Sequence, residues 1–379
     1  MARVAENSAR AAAHPRLPRR PPAAPWALRR GHGQLDDERR ADWERQQREL
    51  AALVVPRDDA GWAQGPGGGG WRGALRLVGG LDTAYLDGGA SGPAAPGPAA
   101  AGPAAAGPAA AGPAAAAAAD ARDGRPVAAG PHGGGAVAAL AVLSFPGLQV
   151  VHSDTLLAEP GAPYASGFLG FREAPAYLAL LRRASDAGVH PQLLFVDGCG
   201  VLHPRRCGSA SHVGVLSGLP TVGVAKSLLR VDGLPSEKRV REQVAEAAAS
   251  AAAAAAGASS EAASGAALSC GGAAEGGGGS GGGGGSGSRS NSGACGGGGG
   301  GSGGVCVPLV ADSGEVLGAA ICGSAGGATR PIFVSVGHRV GLETAVAAAR
   351  ACCLHRVPEP IRRADLLASA EARRLRGAG

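Results

Sequence analysis

Gln192–Leu–Leu–Phe–Val–Asp197–Gly–Cys–Gly–Val–Leu–His203 is the stretch whose reading decides the fold, and Pro220–Thr–Val–Gly–Val–Ala225–Lys226 repeats its logic. Leu193 to Val196 form a short apolar run that stops at an acid and a glycine. A run of that length bounded by Gly reads as a strand buried on both faces, in the middle of a mixed or parallel sheet. Asp197 then stands at the strand's C-terminal end, where open α/β sheets place their ligands. Gly198 and Gly200 let the backbone turn sharply and let a substrate come close. The second run, Pro220 to Ala225, ends the same way at Lys226. Two buried strands thus bring an acid and a base together at one edge of a sheet, the arrangement of an active site.

Outward from this centre, residues 74–86 read as the first core strand, with Asp82 in its middle. A carboxylate on an apolar strand is costly to bury unless it is paired or binds a metal; an arginine partner is the plain alternative. Ala136 to Phe145 and Leu148 to Leu157 read as a hairpin about Pro146–Gly147. Ahead of them, Asp36 to Leu53 reads as an amphipathic helix with its apolar stripe at Trp43, Leu50 and Leu53. A Pro/Gly-punctuated loop, Ala162 to Phe168, carries Tyr164. The next helix is expected to start near Pro175, a favoured first-turn residue, which leaves Glu173 at or just before its N-terminus. There, simple complementarity to the helix dipole is the bland explanation of the acid. Beyond Lys226 the sequence predicts a helix over Glu237 to Gln243, then strands at Val305–Val310, Val316–Cys322 and Pro331–Val336. A helix opens near Gly341, and a last one follows Pro358–Glu359–Pro360. The fold expected is α/β: a three-stranded meander followed by alternating helices and strands in one mixed sheet.

Composition marks what is not core. The chain of 379 residues has 67 Gly and only 3% aromatics, against about 7% Gly in ordinary domains. Residues 1–34 hold seven arginines and one acid, Glu6, which suits a disordered basic arm or an organellar transit peptide. Residues 89–134 are dominated by a Gly-Pro-Ala-Ala-Ala repeat, and 246–304 run from poly-Ala into poly-Gly. Both read as disordered inserts, having no side chains with which to build a core. Residues 35–379 without them make a single domain. A net charge of +6 favours a polyanionic partner. The eight cysteines form no C-x-x-C pair, so neither a zinc ribbon nor a disulfide framework is expected. Outside the alanine tracts no apolar stretch is long enough to span a bilayer, and no membrane partner is expected.

Asp82, Glu173 and Asp197 stand at ends or middles of core elements, joined by Lys226 and His338. An oxygen-rich carboxylate set without clustered Cys or His favours Mg²⁺, with Mn²⁺ as its substitute, over zinc. Such a metal activates a water and stabilises the leaving oxygen in attack on phosphorus. Lys226 would neutralise phosphate charge, and His338 would orient or protonate. Together these residues describe a metal-dependent phosphodiesterase.

Val78–Gly–Gly–Leu–Asp82, Ala162–Pro–Tyr164–Ala–Ser–Gly167–Phe–Leu–Gly–Phe–Arg172–Glu173, Val196–Asp197–Gly–Cys–Gly–Val–Leu–His203, Val222–Gly–Val–Ala–Lys226, Asp312–Ser–Gly314 and Ser335–Val–Gly–His338–Arg339 occur in this order. The set resembles the ordered motifs of the endonuclease V family and covers nearly all of the expected core. The resemblance implies a ribonuclease H-like fold and Mg²⁺-dependent cleavage at the second phosphodiester bond 3′ to a hypoxanthine base, in deoxyinosine or inosine. It implies Asp82 and Asp197 as principal metal ligands and Glu173 as the third acid. Lys226 and His338 would serve the scissile phosphate or an outer shell. The Pro163–Tyr164 loop, loosened by Gly167, resembles the family's strand-separating wedge, with Gly198, Gly200 and His203 near the base pocket. Cys199 departs from the family, which usually has an amide or similar polar residue there, and the segment Arg206 to His212 is looser than its pattern.

Two other readings share the fold: a non-catalytic RNA-binding module, which would usually lose one acid, and a structure-specific nuclease of another ribonuclease H-like kind, which need not carry Pro163–Tyr164. The expected partner is inosine-containing nucleic acid, with single-stranded RNA ahead of DNA, cleaved by a monomer. The expected location is nucleus, nucleolus or cytoplasm, or an organelle if the arginine-rich N-terminus directs import.

Overall fold

The computed structural model describes residues 36–63, 70–86, 135–158, 165–231, 233–265, 305–322 and 330–377, with backbone only for 254–265. Pro163, Tyr164, residues 1–34 and the insert 89–134 lie outside the described residues. Eight strands form one sheet: β1 (Leu77–Tyr85), β2 (Ala136–Ser144), β3 (Val150–Ala158), β4 (Leu193–Asp197), β5 (Thr221–Ala225), β6 (Cys306–Val310), β7 (Val316–Ile321) and β8 (Ile332–His338). Their order across the sheet is β3-β2-β1-β4-β5-β8-β7-β6. β1, β4 and β5 run parallel, and every other pairing is antiparallel. The expected meander, hairpin and central parallel strands are therefore all present in one mixed sheet.

The helices are α1 (Asp37–Ala52), α2 (Trp71–Ala74), α3 (Leu169–Asp186), α4 (Ser209–Ser217), α5 (Glu237–Gly265), α6 (Leu342–Ala351) and α7 (Glu359–Gly377). Leu194 and Val196 of β4 pack with Tyr177, Leu180 and Val213 of α3 and α4. Leu193 and Phe195, of opposite parity, pack with Val346, Ile361 and Ala364 of α6 and α7. Both faces are covered, so the strand reads as an unbroken apolar run rather than an alternation.

Three local expectations are corrected. α3 begins at Leu169, six residues before Pro175, which lies inside the helix. Burial fixes that start. Phe168 and Phe171 pack on Trp43 of α1, with the Trp43 and Phe171 rings stacked at 4.8 Å, and Pro175 costs a helical hydrogen bond that this packing outweighs. Leu53 is exposed; the buried stripe of α1 is Trp43, Gln46, Gln47 and Leu50. Residues 246–265, expected to open a disordered insert, continue α5 to Gly265, as a run of the strongest helix former allows. The rest of that insert, 266–304, lies outside the described residues.

Candidate active site

Parallel pairing in register sets the acids side by side. Leu81 lies opposite Val196, so Asp82, inside β1, comes to lie beside Asp197 at the end of β4. Both have the parity of Val78, Leu193 and Phe195, the residues facing α6 and α7. Lys226 follows directly on β5, which pairs with β4. Its Nζ lies 2.7 Å from Asp197 Oδ2 and 4.0 Å from Asp82 Oδ2. Burial raises the Asp82 carboxyl well above its ordinary range, and the charge of Asp197 adds to the effect. Burial opposes the charge on Lys226, yet Asp197 and Asp82 outweigh it and raise the amine.

Asp365 of α7 joins them. Its charge pushes up both Asp82 and Lys226. Sequence reasoning missed it, although a signal was there. Asp365 sits four residues after Ile361 and three before Ala368, on the apolar stripe of its helix, where an acid calls for a reason.

Glu173 arrives from the other face. α3 packs on the side of Leu194 and Val196, and the Glu173 carboxylate accepts from Tyr85 Oη at 2.9 Å and Tyr177 Oη at 3.3 Å. Thr83 Oγ1 donates in turn to Tyr177 at 2.8 Å. Burial pushes Glu173 up to about 8, with Asp197 contributing and the tyrosine hydrogen bonds opposing. Among the described residues no three acids, histidines or cysteines converge on one metal position. Glu173, the third acid of the metal set expected from sequence, comes from α3 rather than from a strand and lines the same cavity as Asp82 and Asp197. A metal does fit the pair. Asp82 Oδ2 is buried and accepts no hydrogen bond, an unmet demand that a cation satisfies.

His338 is placed elsewhere. β8 is antiparallel to β5, and His338 pairs with Thr221 while Phe333 pairs with Ala225. Four strand residues, roughly 13 Å, therefore separate His338 from the lysine end. Its Nδ1 accepts from the Val55 amide at 3.2 Å, and burial lowers its ring to about 4. The expected catalytic role is replaced by an anchoring one, since strand direction carries His338 to the far end of the sheet.

A cavity of about 460 Å³ opens beside the acids and runs between two walls. Ala165–Gly167 with Leu169 and Gly170 line one side and His203, Gly208 and Ser209 the other, with Asp82, Glu173, Asp197 and Lys226 on the same cavity. Gly198 lines it at φ +142°, and a Cβ there would meet Ser209 Oγ at 2.2 Å, so only glycine fits. Gly200, expected near the base pocket, instead packs on β8. A Cβ would lie 1.9 Å from the Val336 carbonyl, and its amide donates to Ser335 Oγ at 2.9 Å. His203 lines the cavity but its ring is engaged. Nδ1 accepts from the Arg205 amide at 3.2 Å and Nε2 donates to the Gly167 carbonyl at 3.0 Å. It holds the loop. Burial and Asp197 push the Cys199 thiol up to about 12, so it stays neutral and is no nucleophile.

A ribonuclease H-like sheet that sets two carboxylates and a lysine side by side on adjacent strands, beside a glycine-lined cavity, defines a nuclease. The endonuclease V family model matches residues 126–271 and 300–366. Human endonuclease V is 32% identical over 337 residues, covering 88% of this chain and 84% of that protein. The chain belongs to the endonuclease V family, whose members cleave nucleic acid and are generally metal-dependent. Endonuclease V of Roseiflexus sp. strain RS-1 is 36% identical over 233 residues, 61% of this chain and 74% of that protein. The crystal structure of the human catalytic domain, with four cysteines replaced, matches at a TM-score of 0.60 and 32% identity over 91% of this chain and 100% of that one. Ciona intestinalis endonuclease V, solved with a DNA containing an inosine followed by a ribo-adenosine, shares the fold at a TM-score of 0.58 and 24% identity, over 90% and 99% of the two chains.

Proposed function

We propose that this chain hydrolyses the second phosphodiester bond on the 3′ side of a hypoxanthine base, using Mg²⁺, with inosine in single-stranded RNA ahead of deoxyinosine in DNA. The observation carrying this reading is the shared cavity: one space joins the carboxylate pair to walls built of main chain and small side chains. Kinship to proteins named endonuclease V and the inosine-containing nucleic acid held by the Ciona protein support it.

Asp82 and Asp197 would hold the ion, with Asp365 adding negative charge nearby. Magnesium commonly takes only one or two carboxylates and leaves other positions to water and phosphate. When bound, the ion supplies an activated water and stabilisation of the leaving oxygen. Lys226, charged and next to both acids, neutralises the phosphate. Glu173, its carboxyl pushed up by burial and held by Tyr85 and Tyr177, is the third acid on the cavity beside the aspartates. Tyr164 is the wedge that fills the gap left by a base drawn from its stack.

The experiment offers the purified chain matched single strands, in RNA and in DNA, that differ only in hypoxanthine or adenine at one position, with and without Mg²⁺. Cleavage one nucleotide beyond the hypoxanthine's own 3′ phosphate, dependent on the ion, is expected. Equal cutting of the adenine strands would defeat the hypoxanthine reading.

A further inference from the structure

The site contains a brace that comes from outside the sheet. Gln47 of α1 is 1% exposed, and its side chain reaches both walls of the cavity. Nε2 donates to the Gly167 carbonyl and to the Cys207 carbonyl, each at 2.9 Å. Oε1 accepts from Arg205 Nε at 2.5 Å. Arg205 Nη2 returns to the same Gly167 carbonyl at 3.0 Å, and its guanidinium lies 4.3 Å over the Phe168 ring. Three donors, Gln47 from α1 and His203 and Arg205 from the loop after β4, thus converge on one carbonyl. That carbonyl belongs to the loop that leads back to Tyr164.

An amide is the one side chain that serves this junction, because it offers two N–H groups to the carbonyls and one oxygen to the arginine. We infer that Gln47 is a positioning residue that fixes the separation of the two pocket walls and thereby sets which base is accepted. The inference rests on the hypoxanthine reading above and extends it to a helix that contributes no strand and no acid.

Glutamate at 47 keeps the volume and the contact to Arg205 but turns oxygens toward two carbonyl oxygens. Methionine keeps the volume and removes every hydrogen bond. Each leaves a buried carbonyl short of a donor, a change worth about tenfold in an equilibrium. The test uses the full chain, its Gln47→Glu and Gln47→Met variants, and paired hypoxanthine and adenine oligonucleotides with Mg²⁺. The hypoxanthine-over-adenine ratio of kcat/KM should fall about tenfold, through KM. kcat on the hypoxanthine strand should stay within about threefold, because Asp82, Asp197 and Lys226 are untouched. An unchanged ratio in both variants overturns the inference. So does a loss confined to kcat that follows the folded fraction measured by circular dichroism. Should both variants fail to fold, Arg205→Lys carries the same decision, since it keeps a charge beside Glu44 and loses the fork onto Gln47 and Gly167. No base preference in the unsubstituted chain refutes the hypoxanthine reading itself, and the inference with it.

Discussion

The two ends of β5 carry similar chemistry and do opposite work. At the C-terminal end Lys226 stands against Asp197 and Asp82, open to a cavity. At the N-terminal end His338 is packed beside Thr221 with its ring nitrogen bound to the Val55 amide. Arg339 continues that anchor, its amide donating to the Val55 carbonyl at 2.7 Å and its guanidinium pairing with Asp59 at 2.5 Å. One end gathers two acids and a lysine about a cavity; the other ties its ring and guanidinium to the Val55 backbone and to Asp59. A titratable residue on a core strand becomes part of a site through the direction of that strand.

The largest effect expected is at the open end. Asp197→Asn removes a charge from the pair proposed to hold the metal, and a neutral amide does not replace it. Cleavage should fall by about a thousandfold or more, the several kcal/mol that a catalytic ion supplies. Binding to an oligonucleotide should be largely kept, since it rests on phosphate contacts from basic groups. Single-turnover cleavage beside a filter-binding titration reads both. Near-normal cleavage by a well-folded Asp197→Asn would break the comparison at its root.

What the sequence made legible follows from the same geometry. Leu193 to Asp197 and Thr221 to Lys226 could be read because a strand covered on both faces is an apolar run, and its end is where the run stops. Asp82 could be read because an acid inside such a run needs a reason. Glu173 was found, but not its setting. The helix start at Leu169 depends on Trp43, more than a hundred positions earlier in the chain, and the two tyrosines that hold the carboxylate come from β1 and from α3 itself. His338 was misplaced because a motif gives order along the chain and no strand direction. Gln47 was silent, since a glutamine in a charged helix looks solvated until its partners are known.

His338 gives the middle-sized prediction. Its ring, lowered by burial and by Arg339 from 6.5 to about 4, stays neutral in the folded chain while the unfolded chain takes up a proton. Stability from this group is fully present above about pH 6.5 and is lost as pH falls toward 4. His203 and His212 are lowered to about 4 as well, both chiefly by burial, so the acid side of the stability curve has three contributors. His338→Asn keeps an acceptor for Val55 and cannot titrate. Its melting temperature should drop by a few degrees at pH 7 for lost packing, and it should lose less than the parent between pH 7 and pH 5. Cleavage per folded molecule should stay within about twofold, as for a surface-neutral change remote from the reacting atoms. Loss of cleavage without loss of stability would return His338 to the catalytic set.

The smallest effect sharpens the comparison along α5, another element with two unlike ends. Its first turns support the lysine end of β5: Glu237 accepts from the Leu228 amide at 3.0 Å, and Val240 and Val244 are buried in the cluster that includes Ala225 and Phe333. From Ala245 to Ala253 the side chains are exposed or half-buried, and nothing there reaches the site. Replacing residues 246–304 with a short Gly-Ser linker removes the polyalanine turns and the glycine tract together. The cost of closing a loop changes only slowly with its length, about 0.6 kcal/mol per doubling. The melting temperature should therefore shift by no more than about 2 °C, and cleavage of a short oligonucleotide should stay within about twofold. Differential scanning calorimetry and initial rates measure the two. A fall of more than about 5 °C, too large for loop entropy in a domain of this size, would mean that the outer turns of α5 carry packing of their own. A loss of cleavage at unchanged melting temperature would place the tract in contact with the nucleic acid.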